Sequence, residues 1–368
     1  MFRKKYAITT SLLLSASGAQ ADMSLLDEKA ILYGFLATSP QYENIDSPVK
    51  NKSSSRTRLV DQSSRIGFKG ESNIDENTQA FWRAEYRVRV GSNSANGTND
   101  ASSGLSSRPI YLGVKGNYGK VQAGKFYDVY DDWFPEGMKN IEETSGGIGQ
   151  FVHRGAGQPT SVVAYISPVI KGFKITADYD FGSDTTTANA HGVAATLSYK
   201  YENINIGYQY KQNTNSSTST ADYSTSNLSN SNSFTAQLIG GNIEIIKDLD
   251  IGIAIEKTTV NGTTTQVGYG VGFTYTWGKY SVHATYGLLD DSQIGSATQQ
   301  ETGARGANLG MTYKVNKNLE WLSGIGYVLN EANASLGTNT AKSLAPDGST
   351  TLTGTKVTTF SVGARYTF

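Results

Sequence analysis

TQAFWRAEYRVRV, residues 78 to 90, is the stretch on which the fold turns. Ala80, Trp82, Ala84, Tyr86, Val88 and Val90 fall on every second position and share one face of an extended strand, while Phe81, Arg83, Glu85, Arg87 and Arg89 share the other. A soluble sandwich would cover the apolar side with its core. A barrel in lipid would turn that side to hydrocarbon and leave the charged side in water.

The same two-residue rhythm returns along the chain. Val267, Tyr269, Val271, Phe273, Tyr275 and Trp277 alternate with Gly268, Gly270, Gly272, Thr274 and Thr276, and Phe173, Ile175, Ala177, Tyr179 and Phe181 alternate with Lys174, Thr176, Asp178 and Asp180. Phe360, Val362, Ala364, Tyr366 and Phe368 end the chain over Ser361, Gly363, Arg365 and Thr367. In these strands the second face is charged, small or hydroxylated. Sixteen strands are expected, centred on 30–37, 64–70, 78–90, 108–116, 120–127, 161–167, 173–181, 192–200, 204–211, 234–246, 250–257, 265–276, 280–289, 305–315, 319–329 and 357–368.

The connections sort by length. Ile74 to Asn77, Asn117 to Gly119, Ile170 to Gly172, Tyr201 to Asn203, Lys247 to Leu249, Trp277 to Lys279 and Asn316 to Asn318 read as tight turns, and they alternate with long polar links such as 91–107, 212–233 and 330–356. An even meander with both termini on the short-turn side has this pattern, and a sandwich has no reason to adopt it. Of the 22 residues in 212–233, 17 are Ser, Thr or Asn, so no packed core forms there; the segment reads equally as an exposed surface loop or a flexible connector.

Bulk composition agrees with strands rather than helices as the membrane-crossing element. Mean hydropathy is −0.38 and no apolar run reaches about 18 residues, which excludes a helical span in the mature chain. A barrel strand shows lipid only half of its residues, so such chains look polar on average. Arg3, Lys4 and Lys5, the apolar stretch Ala7 to Ala16 and the small-x-small triplet Ala19-Gln20-Ala21 have the layout of a secretory signal peptide over 1–21, with one domain over 22–368. Removing it takes three of the 32 basic residues and none of the 32 acidic ones, leaving a net charge of −3. Without a basic excess a nucleic-acid partner is disfavoured, and without Cys there is neither a disulfide scaffold nor thiolate chemistry.

Several blocks carry a family likeness: ILYGFLA at 31–37, SSRIGFKGESNI at 63–74, TQAFWRAEYRV at 78–88, RPIYLGVKGNYGKVQAGKF at 108–126, SVVAYISPVIKGFKITADYDF at 161–181 and the closing FSVGARYTF. In that order they resemble the general porins of Gram-negative outer membranes, of the neisserial and proteobacterial type, over essentially the whole mature chain. The resemblance implies an all-β fold, a transmembrane 16-stranded antiparallel β-barrel with an inward-folded third long loop. It also implies a homotrimer in outer-membrane lipid that passes ions and small hydrophilic solutes. Physics supplies the reason for closure. An unpaired backbone group in hydrocarbon costs several kcal/mol, and only a closed sheet pairs every edge. In the family the last strand ends on an aromatic that the barrel-assembly machinery reads, a place taken here by Tyr366 and Phe368; both also suit an interfacial aromatic girdle.

At about 16 strands the lumen is too wide for side chains to fill, so selectivity needs a narrowing. The family's third loop folds inward and sets acids opposite wall arginines. The matching segment, 128–160, holds Asp128, Asp131, Asp132, Glu136, Glu142 and Glu143 against Lys139 and Arg154, with the glycine-rich SGGIGQ at 145–150 to let it bend. The expected constriction is therefore Asp128, Asp131, Asp132 and Glu136 on the loop against Arg65, Lys69, Arg83, Arg87, Lys115 and Arg154 on the wall. Arg89 stands nearer the outer mouth and Arg365 reads as ordinary wall. The alternative keeps the arginines as solvated lumen residues and the acids on an exterior loop.

Other signals point elsewhere or nowhere. His153, His191 and His283 lack metal-ligand spacing, and GYGVG at 268–272 lies within a period-two strand with no helix to follow, so neither a metal nor a cofactor is expected. Ser281 and His283 share a face without an elbow or third partner, which argues against a hydrolase. Asn96-Gly97-Thr98 and Asn261-Gly262-Thr263 read as loop turns. Two functional alternatives stand beside the diffusion channel. A structural or adhesive surface barrel plugged by its third loop would conduct nothing, and a single-sugar channel would need more inward aromatics than Phe81 and Tyr111. Ion preference and pore diameter stay open.

Overall fold

The computed structural model describes residues 23–25, 30–50, 52–90, 105–138, 147–182, 191–214, 233–336 and 353–368. Among the described residues sixteen long strands, each antiparallel to the next in sequence, build one sheet, with the short strands Met23–Leu25, Gln293–Ile294 and Ala297–Thr298 added to it. The long strands are β1 (Ala30–Asp46), β2 in two pieces (Ser54–Asp61 and Arg65–Asn73), β3 (Thr78–Val88), β4 (Leu105–Gly116), β5 (Gly119–Lys125), β6 (Val162–Ile166), β7 (Phe173–Asp180) and β8 (His191–Tyr201). The circuit continues through β9 (Ile204–Thr214), β10 (Phe234–Ile246), β11 (Leu249–Val260), β12 (Thr264–Trp277), β13 (Tyr280–Leu289), β14 (Ala304–Lys314), β15 (Leu319–Asn330) and β16 (Lys356–Thr367). β1 pairs with β16 from Phe35↔Thr367 to Asp46↔Lys356, so the sheet closes on itself as the expected barrel. The expected signal peptide 1–21, the loop residues Lys139, Glu142 and Glu143, and most of the links 91–107, 212–233 and 330–356 lie outside the described residues.

Two connections on the long-loop side are shorter than their sequence suggests. β1 runs on through Thr38–Asp46 and pairs with Ser54–Asp61, which leaves only residues 47–53 between the first two strands. Pattern reading stops at Ala37 because the next inward residues are Ser39, Gln41 and Glu43, and Pro40 has no N–H to donate. The ladder to β16 accordingly skips Ser39 and Pro40 and resumes at Gln41↔Ser361. The other is the link between β11 and β12, only Asn261–Thr263, with Asn261 and Gly262 at positive φ of 50° and 69°.

Alternation along each strand separates two environments. On β11, Gly252, Ala254, Glu256 and Thr258 are buried on the inner face, while Ile253 and Ile255 stand 61% and 47% exposed outside. On β3, Glu85 is buried inside and Trp82 exposed outside. Among the described residues no helix is long and apolar enough to cross a membrane, so strands must do so. Around the short-turn rim Tyr275, Trp277, Tyr280 and Tyr313 stack in series at centroid spacings of 5.2, 5.7 and 4.8 Å, an interfacial girdle of the kind membrane barrels carry. Tyr366 lies outward on the same rim, half exposed. Phe368 exchanges both backbone hydrogen bonds with Gly34 at 3.0 Å, and a Cβ on Gly34 would come within 2.9 Å of the Phe368 ring.

Candidate pore constriction

The connection after β5 enters the barrel. It begins with Asp128, whose carboxylate accepts from the Asp131 N–H at 2.9 Å and caps the single-turn helix α1 (Val129–Asp132). Inward side chains of β7 to β9 then hold α1. Asp178 accepts from the Val129 N–H at 2.6 Å, Thr196 donates to the Val129 carbonyl at 2.8 Å, and Gln209 donates to the Tyr130 carbonyl at 2.7 Å. Lys211 donates to Asp128 and to the Gly155 carbonyl, tying the outgoing and returning limbs together.

Further on, the loop sits in a track of inward glycines. A Cβ on Gly207 would strike Trp133, on Gly240 it would crowd Pro135, and on Gly252 or Gly270 it would meet Met138. Gly268, Gly287 and Gly306, on three successive strands, leave the hollow that Phe151 fills, with the ring fully buried. The described residues of the loop thus line the inner wall from β7 to β14.

The opposite wall is charged. Arg65↔Arg87 and Lys69↔Arg83 face each other across β2 and β3, with Gly67↔Glu85 between them. Glu85, with its side chain fully buried, is the hub. It contacts Arg83 at 2.5 Å, Arg108 at 2.7 Å and Arg65 at 3.5 Å, and it accepts from the Tyr33 hydroxyl at 3.0 Å. Arg87 lies 3.5 Å from Asp61, and Lys69 sits 5.2 Å from the centre of the Tyr33 ring. Arg56 and Arg58 continue the basic stripe toward the long loops, paired with Glu43 at 2.5 and 3.4 Å.

Of the ten expected constriction residues, the geometry brings together Arg65, Lys69, Arg83 and Arg87 on one wall and leaves Asp132 and Glu136 exposed on the loop, with Asp131 28% exposed. Lys115 stands at the short-turn end, 2.6 Å from Glu71, below that group. Asp128 is buried as a loop anchor. Arg154 is also buried, behind the loop rather than on the wall, donating to Gln266 at 2.9 Å while Glu256 accepts its N–H at 2.8 Å. Glu85 and Arg108 were not among the expected residues. The Arg83-x-Glu85-x-Arg87 spacing held the signal for the first, and Arg108 stood at the edge of an expected strand beside Pro109.

Burial shapes the loop's titration. Asp131 is pushed up to about 7 by desolvation and by the neighbouring Asp128 carboxylate, against the pull of Lys211 and Arg108. His153, stacked between Tyr130 and Phe134 at 5.3 and 4.5 Å, is pushed down to about 4 by burial, which keeps the ring neutral. The Arg154 guanidinium is lowered by burial, with Glu256 opposing.

A family model described as Gram-negative porin matches residues 9–334. The chain belongs to that family. The porin is accordingly a protein of the Gram-negative outer membrane. It is 28% identical over 196 residues to the major outer membrane protein P.IB of Neisseria sicca, covering 51% of this chain and 50% of that protein. A monosaccharide porin of a Halomonas species is 25% identical over 196 residues, covering 50% and 52%. The matched region spans about half the length of these curated relatives. Among solved structures, an anion-selective porin from Comamonas acidovorans superposes with a TM-score of 0.68 at 17% identity, over 92% of this porin and 99% of that chain. OmpT of Vibrio cholerae, in a trimer form, gives 0.64 at 18% identity over 92% and 99%. At those identities the likeness is one of fold.

Proposed function

We propose that this porin is a general diffusion channel, a water-filled passage for ions and small hydrophilic solutes. The observation that carries the reading is the opposition of two unlike surfaces inside one barrel. Arg65, Lys69, Arg83, Arg87 and Arg108 line one wall, and the loop exposes Asp132 and Glu136 with Asp131 beside them. Opposed charges set a field across the narrowing, which orients dipolar solutes and disfavours apolar ones that must displace ordered water. The names of the relatives, a monosaccharide porin and an anion-selective porin, fit solutes of this class.

The assembly is a homotrimer, a reading supported by the trimer form of the OmpT neighbour. Export uses residues 1–21, and Tyr366 with Phe368 serves the assembly machinery. Planar-bilayer recording under a salt gradient tests the whole reading. Open-channel conductance with steps in threes is expected, whereas a barrel that inserts and passes no current would be the plugged surface barrel.

A further inference from the structure

The outer face of a lipid-facing sheet is no place for an unpartnered cation. Among the described residues Lys257 stands there alone on β11, and Arg305 and Lys356 stand there together. Gly306 turns inward against Phe151, so its neighbours Arg305 and Ala307 on β14 point out of the barrel. Lys356, the first residue of β16, points outward too, and Leu329 of β15 pairs with both, Arg305↔Leu329↔Lys356. Both side chains are exposed, and neither makes a hydrogen bond or ion pair among the described residues. The nearby acids are engaged elsewhere. Asp46, opposite Lys356, accepts from Ser53 at 3.2 Å, while Asp291 and Glu331 above β14 accept from the Gly303 N–H at 3.0 and 3.1 Å.

Below Arg305 the surface is hollowed. Ala307 lies between Tyr286 and Tyr327 on the neighbouring strands, and its small side chain leaves a depression of about 280 Å³ floored by Gly306 and Ala307 and walled by the two tyrosines and Arg305. Leu309 and Ile325 continue the line toward the mid-plane, both about half exposed. From the long-loop rim inward, the order is cation, aromatic cleft, aliphatic surface. An acylated sugar lipid has the same order of phosphate, ring and chain.

We infer that Arg305, Lys356 and the Tyr286–Tyr327 cleft form a binding site for a phosphorylated glycolipid of the outer leaflet. The phosphate sits between the two cations, a sugar ring against the tyrosines and an acyl chain over Leu309 and Ile325. The site rests on the outer-membrane reading, since it requires the long-loop rim to face outward. Basic side chains at a membrane surface each contribute about 1 kcal/mol toward an anionic headgroup, roughly fivefold in affinity, so loss of both should weaken binding by about thirtyfold.

The test is native mass spectrometry of the intact barrel with lipid A, the bis-phosphorylated acyl disaccharide, against the same lipid stripped of phosphate and against inorganic phosphate. Retention of lipid A, weak retention of the dephosphorylated lipid and no displacement by millimolar phosphate are expected. Arg305→Ser with Lys356→Ser should lower retention about thirtyfold, and Ala307→Phe, which fills the cleft and keeps both cations, should lower it too. Single-channel conductance should stay unchanged in both variant proteins, because none of the substituted residues faces the lumen; absence of any conductance in the unaltered protein would count against the porin reading, and lipid A retention would still decide the site. Equal retention of both lipids, displacement by free phosphate, or loss of trimers on unheated gels in the Arg305→Ser, Lys356→Ser protein would overturn the site, the last by assigning this face to a subunit contact.

Discussion

The two halves of the inner wall solve the same problem differently. From β1 to β5 arginines and lysines gather on the inward face around the buried carboxylate of Glu85, which meets Arg65, Arg83 and Arg108. From β7 to β14 the inward residues are covered, and they are Gly, Ala and Thr with a few buried hydrogen-bonding groups. Both halves obey the same two-residue period, because the outer solvent is the same hydrocarbon. Only the inner face tells them apart: large and charged where the lumen is open, absent where another piece of chain must lie. A stripe of glycine inside a barrel is thus the imprint of a docked loop, as a stripe of arginine is the imprint of water.

That contrast can be broken most severely on the covered side. A Cβ on Gly268 would fall 1.8 Å from the Phe151 carbonyl oxygen, a backbone atom that cannot rotate away. Gly268→Leu should lift the loop off the wall and into the lumen, lowering single-channel conductance about twofold or more and raising open-channel noise. An unchanged, quiet channel would mean that the glycine track does not seat the loop.

On the open side the effect is one of charge. Arg83→Ser together with Arg87→Ser should move the reversal potential toward cations by on the order of 10 mV under a tenfold salt gradient. If the potential stays put, those arginines do not face the narrowing. Glu85→Gln sharpens the same point with the opposite sign and a smaller size. It frees three guanidiniums from their shared carboxylate, so selectivity should shift toward anions, and a shift toward cations would show that Glu85 holds the arginines in place more than it cancels them.

The period-two outer face made the barrel readable, since hydrocarbon imposes one demand on every strand. Thr38–Asp46 escaped because Pro40 and a polar inner face erase the contrast on which the pattern depends. On the charged wall, Arg65, Lys69, Arg83 and Arg87 could be placed from strand phase alone, which fixes the face and nearly fixes the height. Loop residues obey no such period. Arg154 and Asp128 read as constriction charges, yet the first turns to Gln266 and the second to Lys211, partners 112 and 83 residues away that only the closed barrel brings near. Glu85 was in plain sight on its face but its role depends on Arg108, which approaches where the β3–β4 register shifts between Ala84 and Tyr86.

The smallest effect joins the two surfaces through a proton. Asp131 lies on the loop but is pulled by Arg108 of the charged wall, and burial beside Asp128 raises it to about 7 from an unfolded value of 3.8. Because the folded state holds this proton more tightly, the native barrel loses stability from Asp131 as pH rises from about 4 to 7, and the loss levels off above that. The same ionisation adds one negative charge per barrel to the loop. Between pH 6 and 8 the reversal potential should therefore drift toward cations, and Asp131→Asn should shrink that drift. His153 cannot supply the effect, since it is already neutral well below this range. A drift of equal size in Asp131→Asn would place the titrating group elsewhere and detach the loop's charge from the selectivity of the wall it faces.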